Sequence, residues 1–302
     1  MNFIITDPYI LYPQLLILGL IVGSFLNVVI YRLPRMLKKQ WTKECADLLQ
    51  ISVTTDINTG SDFDTKSTNT DGDKFNLAYP SSHCPQCKHS IRPWENIPIL
   101  SYLLLKGRCS SCKATISIRY PIIELTTAIL ALVVLIKFSH SWQAAAAILL
   151  TWGLLTLSII DYDTQLLPDI LTIPLLWIGL LVNTGSLFTD PISAILGATL
   201  GYMSFWSLFQ LFYILTGKQG MGYGDFKLLA MLGAWLGWQS LPQIILLSSC
   251  TGAIIGIMMI VLGKHQQDKP IPFGPYLAIA GWMSLLWGNE INALYYHWIG
   301  LN

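Results

Sequence analysis

The chain is 302 residues long, 53% apolar and only 12% charged, with a mean hydropathy of +0.53, which excludes an ordinary soluble enzyme and marks a membrane protein. Formal net charge is +1, and 13 of the 18 Lys and Arg lie between Arg32 and Arg119 beside eight acids. Membrane orientation accounts for that basic loop, so it gives no support to nucleic-acid binding.

In chain order, the first apolar run, Gln14 to Tyr31, has no basic residue before it and no small-residue cleavage site after it, so it reads as a membrane helix and not a secretory signal. Eight runs approach the roughly 20 residues needed to cross about 30 Å of hydrocarbon. They cover approximately 13–31, 120–138, 143–160, 168–186, 191–216, 226–240, 242–263 and 271–289. The expected fold is therefore an all-α polytopic membrane protein of about eight transmembrane helices with a small zinc-knuckle loop domain. With the 32–119 segment cytoplasmic, Lys218, Lys227, Lys264 and Lys269 fall on the same side and only Lys137 dissents. The loops at 161–167 and 217–225 then share the face of the large loop.

Three parts follow: 1–35 with the first helix, a cytoplasmic loop at 36–119, and a multi-helix domain at 120–302. Within the loop, 38–78 is polar with few large apolar side chains and is expected to be flexible. Residues 79–119 carry Cys84-x-x-Cys87 and Cys109-x-x-Cys112, separated by 21 residues. Two such pairs in a segment too small for its own core point to one structural Zn2+, since four thiolates leave no open position for a catalytic water. His83 and His89 flank the first pair and read as surface residues.

Asp161 closes the third run in Ile160-Asp161-Tyr162-Asp163, and Asp225 opens the sixth in Gly222-Tyr223-Gly224-Asp225. A carboxylate at membrane depth is costly, although at the interface Asp costs little and favours a helix N-terminus. Gly220, Gly222 and Gly224 remove alternate side chains before Asp225, permitting positive φ and close approach of an extended peptide. If the two aspartates face each other they cannot both ionise, and the pair is expected to share one proton: one member a general base on water, the other polarising a scissile carbonyl. Asp163 should point about 200° away from Asp161, Asp169 suits the N-terminus of the fourth run, and Glu124 can pair with Arg119 or face the interior. A proton- or metal-conducting transporter also fits membrane aspartates, and a scaffold with a zinc knuckle fits the cysteines.

Several segments together resemble the bacterial type IV prepilin peptidase family, the leader peptidase and N-methyltransferase of type IV pili and type II secretion. They are Gly23-Ser24-Phe25-Leu26-Asn27 through Arg32-Leu33-Pro34, both cysteine pairs, Arg92-Pro93-Trp94-Glu95-Asn96, Arg119-Tyr120-Pro121, Leu167-Pro168-Asp169, Gly222-Tyr223-Gly224-Asp225-Phe226-Lys227 and Pro272-Phe273-Gly274-Pro275-Tyr276. The resemblance spans nearly the whole chain, interrupted mainly at 38–78, and its catalytic aspartates map onto Asp161 and Asp225. It implies cleavage of the short basic leader from prepilin and pseudopilin precursors after Gly, and methylation of the new N-terminus with S-adenosyl-L-methionine. It further implies a bacterial inner-membrane location among lipid, with the active site at the cytoplasmic face. The methyl-donor site, the particular pilins and the oligomeric state are not implied by any residue.

Overall fold

A computed structural model describes residues 8–49, 75–139, 141–218, 220–261 and 271–299. Helix α1 spans Pro8–Leu49. A 3₁₀ turn at Pro93–Asn96 and the short α2, Leu100–Leu104, follow. The remaining helices are α3 (Arg119–Phe138), α4 (Trp142–Thr164), α5 (Asp169–Asn183), α6 (Pro191–Thr216), α7 (Tyr223–Leu236), α8 (Leu241–Val261) and α9 (Gly274–Ile299). Among the described residues the only β pairing is two isolated bridges, one in each cysteine loop.

Each of the eight expected runs falls on a helix, and five stretches are long and apolar enough to cross a membrane: Ile10–Leu49, Arg119–Phe138, Trp142–Thr164, Pro191–Thr216 and Trp238–Met259. Helices α5 and α7 have only 15 and 14 residues, about 22 and 21 Å at 1.5 Å each. The reason for α7's shortness is its setting: it is enclosed by α5, α6, α8 and α9. Phe226, Leu228, Leu229, Met231, Leu232, Ala234 and Trp235 have no exposed surface, so α7 is the core of the bundle and not a lipid-facing span. Its last carbonyls are satisfied from α5, where Asn183 Nδ2 donates to Ala234 O and Trp235 O at 2.9 Å each. In return, Trp235 Nε1 donates to Leu175 O at 2.8 Å. Gly197 and Gly233 put the α6 and α7 backbones in direct contact, leaving no room for a Cβ on either.

Helix α1 departs from expectation. It is 42 residues long, about 63 Å, twice what the hydrocarbon requires. The stretch expected to be flexible from residue 38 is helical as far as Leu49. The rest of it, 50–74, lies outside the described residues. Met36 to Leu49 contains neither Gly nor Pro and is rich in Lys, Leu, Gln, Glu and Ala, all good helix formers. Gln40 Nε2 also donates to Glu44 Oε1 one turn on, at 2.8 Å.

The cysteine segment is tied to α1 and α3 by two buried charged side chains, Arg32 and Glu124, while buried Asn27 joins those two helices to each other. Arg32 donates to the carbonyls of Asn76 (3.0 Å), Leu77 (3.3 Å) and Pro80 (2.7 Å). Glu124 accepts from the Ile99 N–H at 2.8 Å, and Asn27 Nδ2 donates to Tyr120 O at 3.2 Å. A buried guanidinium or carboxylate needs such partners, so the segment is held in one place against the helices.

Candidate active site and metal centre

Asp161 lies in the last turn of α4, which ends at Gln165 in a left-handed conformation. Its side chain is only 5% exposed. The carboxylate accepts a 2.9 Å hydrogen bond from the backbone N–H of Gly274, the first residue of α9. That N–H has no partner within its own helix, and it places the positive end of α9 against Asp161. A Cβ on Gly274 would stand 2.6 Å from Asp161 Oδ2, so only glycine lets α9 come this close.

Asp225 is the third residue of α7 and 8% exposed, within Coulombic range of Asp161. The two carboxylates border one cleft of about 390 Å³, together with Gly222, Tyr223, Gly224, the 165–170 turn and, from α1, Leu37 and Trp41. Positive φ is not what the glycines serve: Gly222 has φ −80° and room for a Cβ, while Gly224 serves close approach, since a Cβ there would fall 2.7 Å from Leu167 Cβ. Gly224 thus lets the α4–α5 turn seat against the start of α7, which brings the carboxylates to one cleft. Two buried acids around a cleft large enough to admit water and a stretch of peptide are the arrangement that can activate water against a peptide carbonyl.

The other acids are accounted for elsewhere. Asp163 forms a bidentate ion pair with Arg119, which removes Arg119 as a partner for Glu124. Glu124 faces inward and holds Ile99. Asp169 begins α5 as expected and is also paired with Lys227 Nζ at 2.7 Å, on the rim of the cleft. Gly274 is the site residue that reading the sequence missed as such; its signal was the Pro272-Phe273-Gly274-Pro275 segment, quoted for resemblance and given no role.

In the loop, Cys84, Cys87, Cys109 and Cys112 bring their sulfurs within 4.8 Å of one another. The closest approaches join one pair to the other, Cys84 to Cys112 at 3.7 Å and Cys87 to Cys109 at 3.9 Å. A tetrahedral ion with metal–sulfur bonds of about 2.3 Å needs sulfurs about 3.8 Å apart, so the donor set and its spacing fit such an ion. Each pair sits on the same turn: Lys88 N–H donates to Cys84 O and Lys113 N–H to Cys109 O, and both lysines have positive φ. Backbone N–H groups of Cys87 and Gln86 hold the Cys84 thiol down to about 6, and those of Cys112 and Ser111 lower Cys109, which favours thiolates at these two. At Cys112 the lowering by the Ala114 N–H is outweighed by burial and the three neighbouring sulfurs, which push it up to about 11. Glu95 joins the two turns. It accepts from the Arg92 N–H at 3.0 Å, approaches His89 Nε2 at 3.5 Å and bonds Ser110, and its carboxyl is held below the usual range chiefly by Arg92 and then Ser110. His83 is exposed, and neither it nor His89 joins the sulfur cluster.

Comparison with known proteins bears on both halves. Residues 17–138 match the bacterial peptidase A24 N-terminal domain and residues 148–257 the type IV leader peptidase family. The prepilin leader peptidase/N-methyltransferase of Pseudomonas aeruginosa is 52% identical over 99% of this chain and 98% of its own length. Proteins of the same name from Stutzerimonas stutzeri, 51% identical over 97% of this chain and 96% of its own, and Legionella pneumophila, 43% identical over 95% of each, are similar along their whole length. No solved structure matches. With the A24 N-terminal domain, a helical membrane bundle and two buried aspartates in one cleft, the chain belongs to the type IV leader peptidase family.

Proposed function

We propose that this chain removes the short basic leader from prepilin and pseudopilin precursors and then N-methylates the new N-terminal residue, in support of type IV pilus assembly or type II secretion. The observation that carries the reading is the pair Asp161 and Asp225, buried together on one cleft within the segment that matches the leader peptidases. The ionised aspartate takes a proton from water as its oxygen adds to the scissile carbonyl carbon. The protonated aspartate donates to the carbonyl oxygen. Collapse of the tetrahedral adduct breaks the C–N bond, and the amine leaves with a proton returned from the dyad. Gly274 N–H holds one carboxylate still throughout.

The cleft opens at the end of the bundle where α1 extends and the cysteine segment docks. By its lysines and arginines this end is cytoplasmic, at the bacterial inner membrane. A substrate with a basic leader and an apolar helix would present its junction there. Cys84, Cys87, Cys109 and Cys112 would hold one zinc ion, which cross-links the two turns without an open coordination position. S-adenosyl-L-methionine would supply the methyl group; no residue is assigned to it.

The test is purified enzyme with a precursor, with and without S-adenosyl-L-methionine, read by product mass. Wild type should release the leader and add one methyl, while Asp161→Asn and Asp225→Asn should each lower cleavage at least ~100-fold in a folded protein. Cleavage surviving in both variants would overturn the aspartate assignment. Metal analysis of the same preparation should find one zinc per chain, lost in Cys84→Ser.

A further inference from the structure

The 21 residues from Lys88 to Arg108 join the two cysteine pairs, and none of them lines the aspartate cleft. They contain α2, whose five residues include no buried one. Leu100, Leu103 and Leu104 share one face of it, at i, i+3 and i+4, with Leu103 65% and Leu104 74% exposed. Trp94 and Ile97 are exposed just before them. Single exposed apolar side chains are ordinary, but this cluster is a patch, and such a patch marks a surface that something apolar covers.

The position of the patch identifies the cover. The start of α2 is held by the bond from Ile99 N–H to Glu124. Glu124 stands in the second turn of α3, inside a stretch long and apolar enough to cross a membrane. Gly23 of α1 packs on the Glu124 backbone, where a Cβ would fall 2.7 Å from its Cα, so the tether lies where two membrane spans meet. Near that level Phe25 on α1 and Ile122 and Leu125 on α3 are exposed, as lipid-facing side chains are. Ile99 is β-branched with φ 57°, a conformation that persists only where neighbours impose it, and the Glu124 bond does so. The leucines are therefore fixed close to the apolar surface of the spans. Charge agrees: from Asn96 to Ile123 there is no acid, and the bases are Lys106, Arg108, Lys113 and Arg119, the last paired with Asp163. Arg92 lies over the Trp94 ring, 5.5 Å from its centre. Apolar side chains flanked by a Trp and by basic residues match the acyl boundary and the phosphates above it.

We propose that α2, with Trp94 and Ile97, inserts into the headgroup region of the bilayer, so that the loop between the cysteine pairs is an interfacial membrane anchor whose partner is the phospholipid surface. The two cysteine turns then clamp the ends of a membrane-bound loop and not of a domain free in solution. The inference is independent of the protease reading.

The experiment uses the full-length chain in nanodiscs of phosphatidylcholine and phosphatidylglycerol, with one trifluoromethyl-phenylalanine in place of Leu103, Leu104 or Ser111. Ser111 is exposed in the second cysteine turn and serves as the control. Fluorine line broadening is read with a doxyl-labelled lipid and with a water-soluble gadolinium chelate. Side chains about 5–10 Å into the boundary should be broadened at least ~5-fold more by the lipid reagent at Leu103 and Leu104, and the order should reverse at Ser111. Hydroxyl-radical footprinting of the unmodified chain keeps the test free of the labels: Leu103 and Leu104 should be oxidised several-fold more slowly than Leu48, which is exposed on the extended end of α1. Broadening dominated by gadolinium, or oxidation as fast as at Leu48, would put α2 in water. Protection from both paramagnetic reagents would mean that protein covers the patch, a second copy of this chain included. Any of these results overturns the anchor.

Discussion

At the scale of single residues, the site depends on Gly274 as much as on the acids. Gly274→Ala must push α9 or the Asp161 side chain aside, because the new methyl would sit 2.6 Å from a carboxylate oxygen. With Asp161 in the proposed catalytic role, a shift of that size costs on the order of 10- to 100-fold in kcat, so the variant should fold, bind precursor with near-normal KM and turn over slowly. Steady-state kinetics beside a thermal unfolding scan would check this; a loss seen only in stability would assign Gly274 to packing. The aspartates were legible in the sequence because a charge at the end of an apolar run is conspicuous. Gly274 was not, since its role comes from a contact across 113 residues that no local pattern encodes. The same limit applied to Glu124 and Arg119, whose partners are chosen by packing and not by spacing.

At the scale of elements, the cysteine segment is a unit whose fit to metal was readable from two Cys-x-x-Cys pairs, while the bond that joins the pairs was not. Glu95 binds the Arg92 amide, Ser110 and His89 more strongly when ionised, and its carboxyl titrates below the ordinary 4.5. A group with a depressed folded pKa contributes stability that is full above its unfolded value and is lost as pH falls through the lower folded one. Wild type should therefore protect the amides of Cys84–Ser90 and Arg108–Thr115 from hydrogen exchange better than Glu95→Gln at pH 7, and the difference should shrink below about pH 4.5. A difference that persists under acid would show that charge on Glu95 is not the cause. Helix α1 teaches a related lesson. Its apolar run was clear, but polar composition after residue 38 was read as lack of structure, when helix propensity and a seeded end were enough to carry it to Leu49.

At the scale of the whole molecule, the eight apolar runs led to eight helices, and hydrophobicity alone did not tell a lipid-facing span from a protein-enclosed core. Helix α7 is apolar because α5, α6, α8 and α9 surround it, which is also why Asp225 at its start is buried. The boundary expected near residue 120 does not isolate function on one side: Leu37 and Trp41 precede it and line the same cleft as Asp161 and Asp225.

The bond from Gly274 to Asp161 also has a meaning in time. A ribosome makes this chain from the α1 end, and Asp161 and Asp225 both emerge before Gly274 does. Until α9 inserts, the two acids exist without the amide that immobilises one of them, so the last of the described helices to be synthesised completes the centre. On the proposed reading, the dyad therefore gains its fixed carboxylate only after every other described helix has been made.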